Sequence, residues 1–131
     1  MENNMNINWF PGHMAKTRRQ ITEDLKLIDI VIEILDARIP ISSQNPDIKE
    51  ITKSKKKIVV LNKCDLSDEK DNLRWIEYFD KQGNKALLVN SNSGKGVEEV
   101  IRQIQKTMQE ETKIYVDKGR IGRKIKVMVV G

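Results

Sequence analysis

Four consecutive residues, Asn62-Lys63-Cys64-Asp65, carry side chains suited together to recognising a purine base. A carboxylate can accept from both the ring N–H and the exocyclic amine of guanine, a bidentate arrangement that adenine does not offer. A wrong base would leave a buried carboxylate unpaired, which discriminates on the order of 10⁴-fold. The lysine stem can lie over a flat ring, and the asparagine can tie its loop to a neighbour. Cys64 fills the variable position of the quartet, and no chemistry is assigned to it. An N-K-x-D string also arises by chance, so its weight depends on where it sits.

A second loop, Asn90-Ser91-Asn92-Ser93-Gly94-Lys95-Gly96, is built from small and turn-forming residues. Such residues let backbone N–H groups approach a ligand. Ser93-Gly94-Lys95-Gly96 is not a phosphate loop. That motif needs G-x-x-x-x-G-K-[ST], and here Gly96 follows the lysine and no glycine stands five residues before Gly94. A third place is Val129-Val130-Gly131, where an apolar segment closes on glycine as a phosphate loop does at its start. No G-K-[ST] follows it, and no residue set is assigned to a metal.

These loops need elements to hold them. Ile30–Leu35, Ile58–Leu61, Ala86–Val89 and Ile125–Val130 are short, continuous and rich in aliphatic, largely β-branched residues, as buried parallel strands are. Helical patterns precede the first and separate each pair. Met14, Ile21, Leu25 and Ile28 fall on one face of a first helix. Asn45-Pro46 supplies a cap and first residue for a short second one carrying Ile48 and Ile51. Ser67 is expected to cap a third, with Asp68 and Glu69 in its first turn, Leu73, Ile76 and Phe79 inward, and Gly83 at its end. Val97, Val100, Ile101, Ile104 and Met108 form the apolar stripe of a fourth. The expected fold is therefore α/β: a three-layer parallel sheet with flanking helices. The chain divides into residues 1–28, an N-terminal segment with the first helix, and residues 29–131, which hold the strands. Ligands in such sheets bind at the carboxyl ends of strands, which is where all three loops fall.

Composition narrows the setting. The 131 residues suffice for one domain, with 38% hydrophobic and 33% charged. No apolar run approaches the roughly 20 residues that span a bilayer, and the polar start lacks the layout of a signal peptide. A single cysteine excludes an internal disulfide and fits a reducing compartment. Lys113, Lys118, Arg120, Arg123, Lys124 and Lys126, set against Asp117, account for the whole formal net charge of +5. This stretch is either a contact for RNA phosphates or a solvated basic linker.

Two strings are more specific than any of these patterns: Trp9-Phe10-Pro11-Gly12-His13-Met14 and Asp36-Ala37-Arg38-Ile39-Pro40. With the N-K-x-D quartet, the Ser/Asn loop and the terminal Val-Val-Gly, in that order, they resemble the ribosome biogenesis GTPase A type of circularly permuted GTPase over nearly the whole chain. The resemblance implies a partial, circularly permuted P-loop GTPase fold, with the base-reading motifs ahead of the phosphate loop. Gly131 would then begin that loop, and the switches and an RNA-binding domain would follow it. It implies GTP or GDP as ligand, with Mg²⁺ only where the missing phosphate loop is present. Asn62, Lys63 and Asp65 would read guanine. Asn90, Ser91 and Asn92 would align with the S-A-K triplet of the second loop, so that the Ser91 amide meets the guanine carbonyl. Two of those three positions depart from the usual Ser and Ala.

The implied role is late assembly of the large ribosomal subunit, in the cytoplasm, with a precursor particle and its rRNA as partners and neither membrane nor DNA. His13 matches an N-terminal histidine proposed in this family to act in place of a water-orienting glutamine. A neutral imidazole can accept from an attacking water; alternatively His13 is held by the Pro11-Gly12 turn and caps the first helix. Trp9 and Phe10 are expected to pack against the sheet, Asp36 and Arg38 to support the site, and Lys53, Lys55, Lys56 and Lys57 to form a solvated helix end or an RNA contact. The competing reading is a truncated guanine- or RNA-binding module that hydrolyses nothing. A flavodoxin- or receiver-like domain would need an acidic cluster or phosphate loop after the first strand, and Asp36-Ala37-Arg38-Ile39-Pro40 supplies neither.

Overall fold

The structure is a computed structural model that describes residues 5–10, 14–109 and 125–131. Five parallel strands form one sheet in the order β1-β5-β2-β3-β4. They are β1 (Met5–Phe10), β2 (Ile30–Asp36), β3 (Lys56–Asn62), β4 (Lys85–Leu88) and β5 (Ile125–Val130). The helices are α1 (Met14–Leu25), the single turn α2 (Pro40–Ser43), α3 (Pro46–Thr52), α4 (Glu69–Lys81) and α5 (Val97–Thr107). The chain winds outward from β2 through β3 to β4, then returns to place β5 on the other side of β2. The order reverses between β2 and β5, and such a reversal opens a crevice at the strands' carboxyl ends.

Side-chain alternation sorts the core into two layers. Ile30, Ile32, Ile58, Val60 and Val127 face one way and pack with Ile104 and Met108 of the α5 segment. Val31, Met128 and Val130 face the other way against Ile21 and Leu25 of α1 and Ile48 of α3. On that same face Leu35, Val59, Leu61 and Ala86 meet Phe79 of α4. Helices on both faces explain why these strands read as unbroken apolar runs.

Three local features differ from the sequence reading. Met5–Phe10 is a strand, paired residue for residue with Ile125–Val130, where the sequence pattern gave only a polar segment. Residues 5–10 therefore belong to the same sheet, and α1, whose Ile21 and Leu25 pack into the core, ends at Leu25, ahead of β2 at Ile30. Asp68, not Ser67, caps α4, accepting from Lys70 N at 2.8 Å and Asp71 N at 3.3 Å. On α4, Phe79 is buried but Leu73 is 60% exposed, because that side of the helix faces outward. The Asn45-Pro46 start of α3 forms as expected, with Asn45 accepting from Asp47 N and Ile48 N.

Lysines 53–57 are mostly tied into the fold. Lys53 pairs with Glu50, Lys55 Nζ donates to the Ile28 carbonyl at 3.0 Å, and Lys57 Nζ lies 3.5 Å from Glu33 Oε1. Glu33 and Lys57 sit on the α1/α3/α4 face, their side chains 2% and 7% exposed. Glu33 Oε1 has no hydrogen bond in spite of its burial, so Lys57 is its main compensation. Removing one member of a buried pair strands the other charge. Lys57→Met is expected to lower unfolding stability by about 3–5 kcal/mol, and the double variant Glu33→Leu/Lys57→Met to recover most of it, both read from urea denaturation.

Candidate guanine-nucleotide site

The parallel register sets Asp36 opposite Asn62 at the carboxyl ends of β2 and β3. The Asn62 carbonyl accepts from Ala37 N at 2.8 Å, which carries the pairing one step past the strand. Its side-chain Oδ1 accepts from Ser91 N at 3.1 Å, so Asn62 ties the loop after β3 to the loop after β4. A second tie runs from Cys64 N to the Val89 carbonyl at 3.3 Å. The asparagine thus does what its place in the quartet suggested.

Lys63 is the one non-glycine residue among the described ones with positive φ, at φ 61° and ψ 36°. This left-handed step turns the chain from β3 into a short 3₁₀ turn, Cys64–Leu66. The Leu66 N–H returns to the Lys63 carbonyl at 3.0 Å. Lys63 Nζ lies 3.6 Å from Asp36 Oδ2, which steers the lysine stem across the end of β2. Asp65 is exposed and makes no hydrogen bond or ion pair among the described residues. Its carboxylate is therefore open to a ligand.

Asp36 is the electrostatic hub. It accepts from Arg38 N at 2.9 Å and Arg38 Nε at 3.0 Å through Oδ1, and from Arg38 Nη2 at 2.7 Å through Oδ2. The Arg38 side-chain hydrogen bonds, the Arg38 amide and the nearby Lys63 charge hold its carboxyl well below the usual carboxylate range, outweighing the opposing effect of burial. The Asp36 N–H meets Ser43 Oγ at 3.0 Å, which seats α2 against the strand end. Asp36 and Arg38 thus form an ion pair at the strand end, and Asp36 also draws Lys63 toward it.

Two glycines are required by close approach. Gly96 sits at φ +86°, and a Cβ there would collide with the Leu88 carbonyl. Gly131 lies against β2, where a Cβ would meet Ile34 O at 2.8 Å and Ile34 Cβ at 2.9 Å. The end of β5 is thereby pressed into the crevice between β2 and β5. In the loop after β4, the Ser91 amide expected to reach a guanine carbonyl is engaged by Asn62. Asn92 N makes only an exposed 3.2 Å bond to Asn90 Oδ1. His13 and the basic residues 113–124 lie outside the described residues, and Trp9 and Phe10 are strand residues of β1 paired with Val129 and Val130. No group of three or more His, Cys, Asp or Glu able to hold a metal occurs among the described residues.

Because folding depresses the Asp36 pKa, its stabilisation is complete above the unfolded value of about 3.9 and is lost as pH falls toward the folded one. Asp36→Asn is expected to be less stable than the unaltered protein at pH 7, with the gap narrowing below about pH 4. Urea unfolding at pH 7 and pH 2 measures this; an equal gap at both would locate the effect elsewhere.

No family model matches the chain. Ribosome biogenesis GTPase A of Bacillus cereus is 47% identical over 127 residues, covering 97% of this chain and 43% of that protein. The Priestia megaterium protein of the same name is 48% identical over 128 residues, with 97% and 44% covered. Mitochondrial ribosome-associated GTPase 1 of Bos taurus is 39% identical over 94 residues, covering 71% of this chain and 28% of its own. Among solved structures, GNP-bound YlqF from T. maritima aligns with a TM-score of 0.51 at 36% identity, over 57% of this chain and 31% of that one. The chain spans less than half the length of the curated relatives it matches. This agreement of sequence and sheet makes the chain similar to ribosome biogenesis GTPase A proteins over less than half of their length, and its parallel sheet with flanking helices matches part of the circularly permuted GTPase YlqF.

Proposed function

We propose that this chain supplies the guanine-recognition part of a GTPase that acts in late assembly of the large ribosomal subunit. The observation that carries the reading is Asp65: an exposed carboxylate without a partner among the described residues, on a turn held by Asn62 and Lys63 at the carboxyl edge of the sheet. An acceptor pair displayed in this way fits the ring N–H and 2-amine of guanine. Lys63, steered by Asp36, lays its stem over the ring. Asn62 holds the two base loops together rather than touching the base.

The loop after β4 contributes a backbone amide to the guanine carbonyl. With the Ser91 amide taken up by Asn62, the Asn92 amide is the better donor, since its bond to Asn90 is exposed and easily exchanged. In this reading Gly131 begins a phosphate loop, which its close packing against Ile34 at the strand-order reversal supports. GTP or GDP is the ligand; GTP, where bound to the intact protein, would supply the γ-phosphoryl group that passes to water, leaving GDP and phosphate. The names of the relatives support a ribosomal partner, which we take to be a large-subunit precursor and its rRNA, met in the cytoplasm. No helix of the described residues is long and apolar enough to cross a membrane.

Base recognition is tested by Asp65→Asn in the intact protein, which exchanges one acceptor for an amide donor. GDP affinity is expected to fall at least about 100-fold, while xanthosine diphosphate, with a carbonyl where guanine has its amine, gains affinity. Fluorescence titration of both nucleotides reads this, and unchanged GDP binding would remove Asp65 from the site. The 131-residue polypeptide itself contains no G-x-x-x-x-G-K-[ST] string to cradle a triphosphate. It is expected to hydrolyse GTP no faster than buffer and to bind it more weakly than about micromolar. Submicromolar binding by calorimetry would contradict that expectation.

A further inference from the structure

Asn72 is one of three polar or charged residues buried among the described ones, at 4% exposure. A buried amide is tolerated only when its polar atoms are bonded. Here Oδ1 accepts from Ser67 Oγ at 2.6 Å, and Nδ2 donates to the Cys64 carbonyl at 3.4 Å. Ser67 Oγ lies 3.0 Å from that same carbonyl and shares its proton between the two acceptors. The Cys64 carbonyl belongs to the peptide whose nitrogen is that of Asp65. The other side of Cys64 is fixed as well, through its N–H on Val89.

We infer that Ser67 and Asn72 form a clasp that positions the Asp65 backbone and thereby sharpens selection for the 2-amino edge of the base. The inference rests on the guanine reading above. Asp65 has no side-chain partner among the described residues, so among them its backbone is what holds the carboxylate in one direction between binding events. A helix-capping role does not account for the clasp. The first amides of α4 are already met by Asp68, and the Ser67 and Asn72 bonds run to the loop instead. Ser67 and Asn72 are therefore positioning residues, acting through Cys64 on Asp65.

The test compares GDP with inosine diphosphate, whose base lacks the 2-amine and forms only one of the two bonds to Asp65. The unaltered intact protein is expected to prefer GDP by on the order of tenfold to 100-fold. Asn72→Asp keeps the volume and an acceptor for Ser67 but turns an oxygen toward the Cys64 carbonyl; Ser67→Ala removes the other arm. Each is expected to reduce the GDP preference about fivefold, while Ser67→Thr, which retains the hydroxyl, preserves it. A purely structural role would weaken both nucleotides equally and leave the ratio intact, and that result in both variants would overturn the clasp. Ser67→Ala carries the test if Asn72→Asp does not fold. Asp65→Ala separates the two levels of inference. A ratio that collapses there but survives the clasp variants refutes the clasp alone, and one unchanged in Asp65→Ala refutes guanine reading itself.

Discussion

The parallel pairing of β2 with β3, which brings Asp36 level with Asn62, is the constraint on which the candidate site depends. From that register follow the Ala37 bond to the Asn62 carbonyl, the reach of Lys63 to Asp36, and the arrival of Asn62 Oδ1 at Ser91. A slip of one residue would turn every side chain of a strand to the opposite face. Here it would turn Val59 and Leu61 away from Phe79 and Ile58 and Val60 away from Ile104 and Met108, and it would also break the buried contact of Glu33 with Lys57. Burial on both faces of the sheet therefore fixes the geometry of loops that are themselves exposed.

The same logic explains why charge sits where it does. Asp36 gathers Arg38 and Lys63 at the strand ends and leaves Asp65 as the open acid of the turn. Were Lys63 paired with Asp65 instead, the carboxylate proposed to read the base would be neutralised by its own neighbour. At the other end of β2, the Asp29 N–H donates to the Lys126 carbonyl at 2.9 Å and Lys126 N donates to Asp29 Oδ2 at 2.8 Å. That pair locks β5, distant in sequence, beside β2, and so places Gly131 at the crevice.

Much of this was legible from residue types. Strands β2 to β5 read as apolar runs because helices cover both sheet faces. β1 was not legible, because Met5-Asn6-Ile7-Asn8 alternates with asparagine and the strand lies at the sheet's edge, where one face need not be apolar. The cap of α4 was misassigned because Ser67 and Asp68 are both capping types. Only geometry shows that the Asp68 carboxylate reaches the helix amides while Ser67 turns to Asn72. The lysine run reads as a solvated helix end or an RNA contact, yet Lys57 is paired with Val31 in the sheet and its side chain is buried against Glu33. Periodicity carries the fold, whereas cross-links between elements distant in sequence leave no local trace.

Lys63 shows how the fold sustains a conformation that its residue type disfavours. A left-handed backbone costs a non-glycine residue roughly 1–2 kcal/mol, and glycine at this position would remove that cost. Glycine would also remove the side chain that reaches Asp36 and can cover a base. The strain is instead held by bonds on both sides: Ala37 and Ser91 on Asn62 before it, and the Leu66 N–H on its own carbonyl after it. Strained residues that persist because their surroundings over-determine them cluster at functional positions. Here the strained residue directs the chain so that Asp65 emerges outward while its predecessor stays anchored to β4. A relaxed turn would satisfy the backbone equally well, but it would carry the carboxylate away from the lysine stem with which it is proposed to share a base.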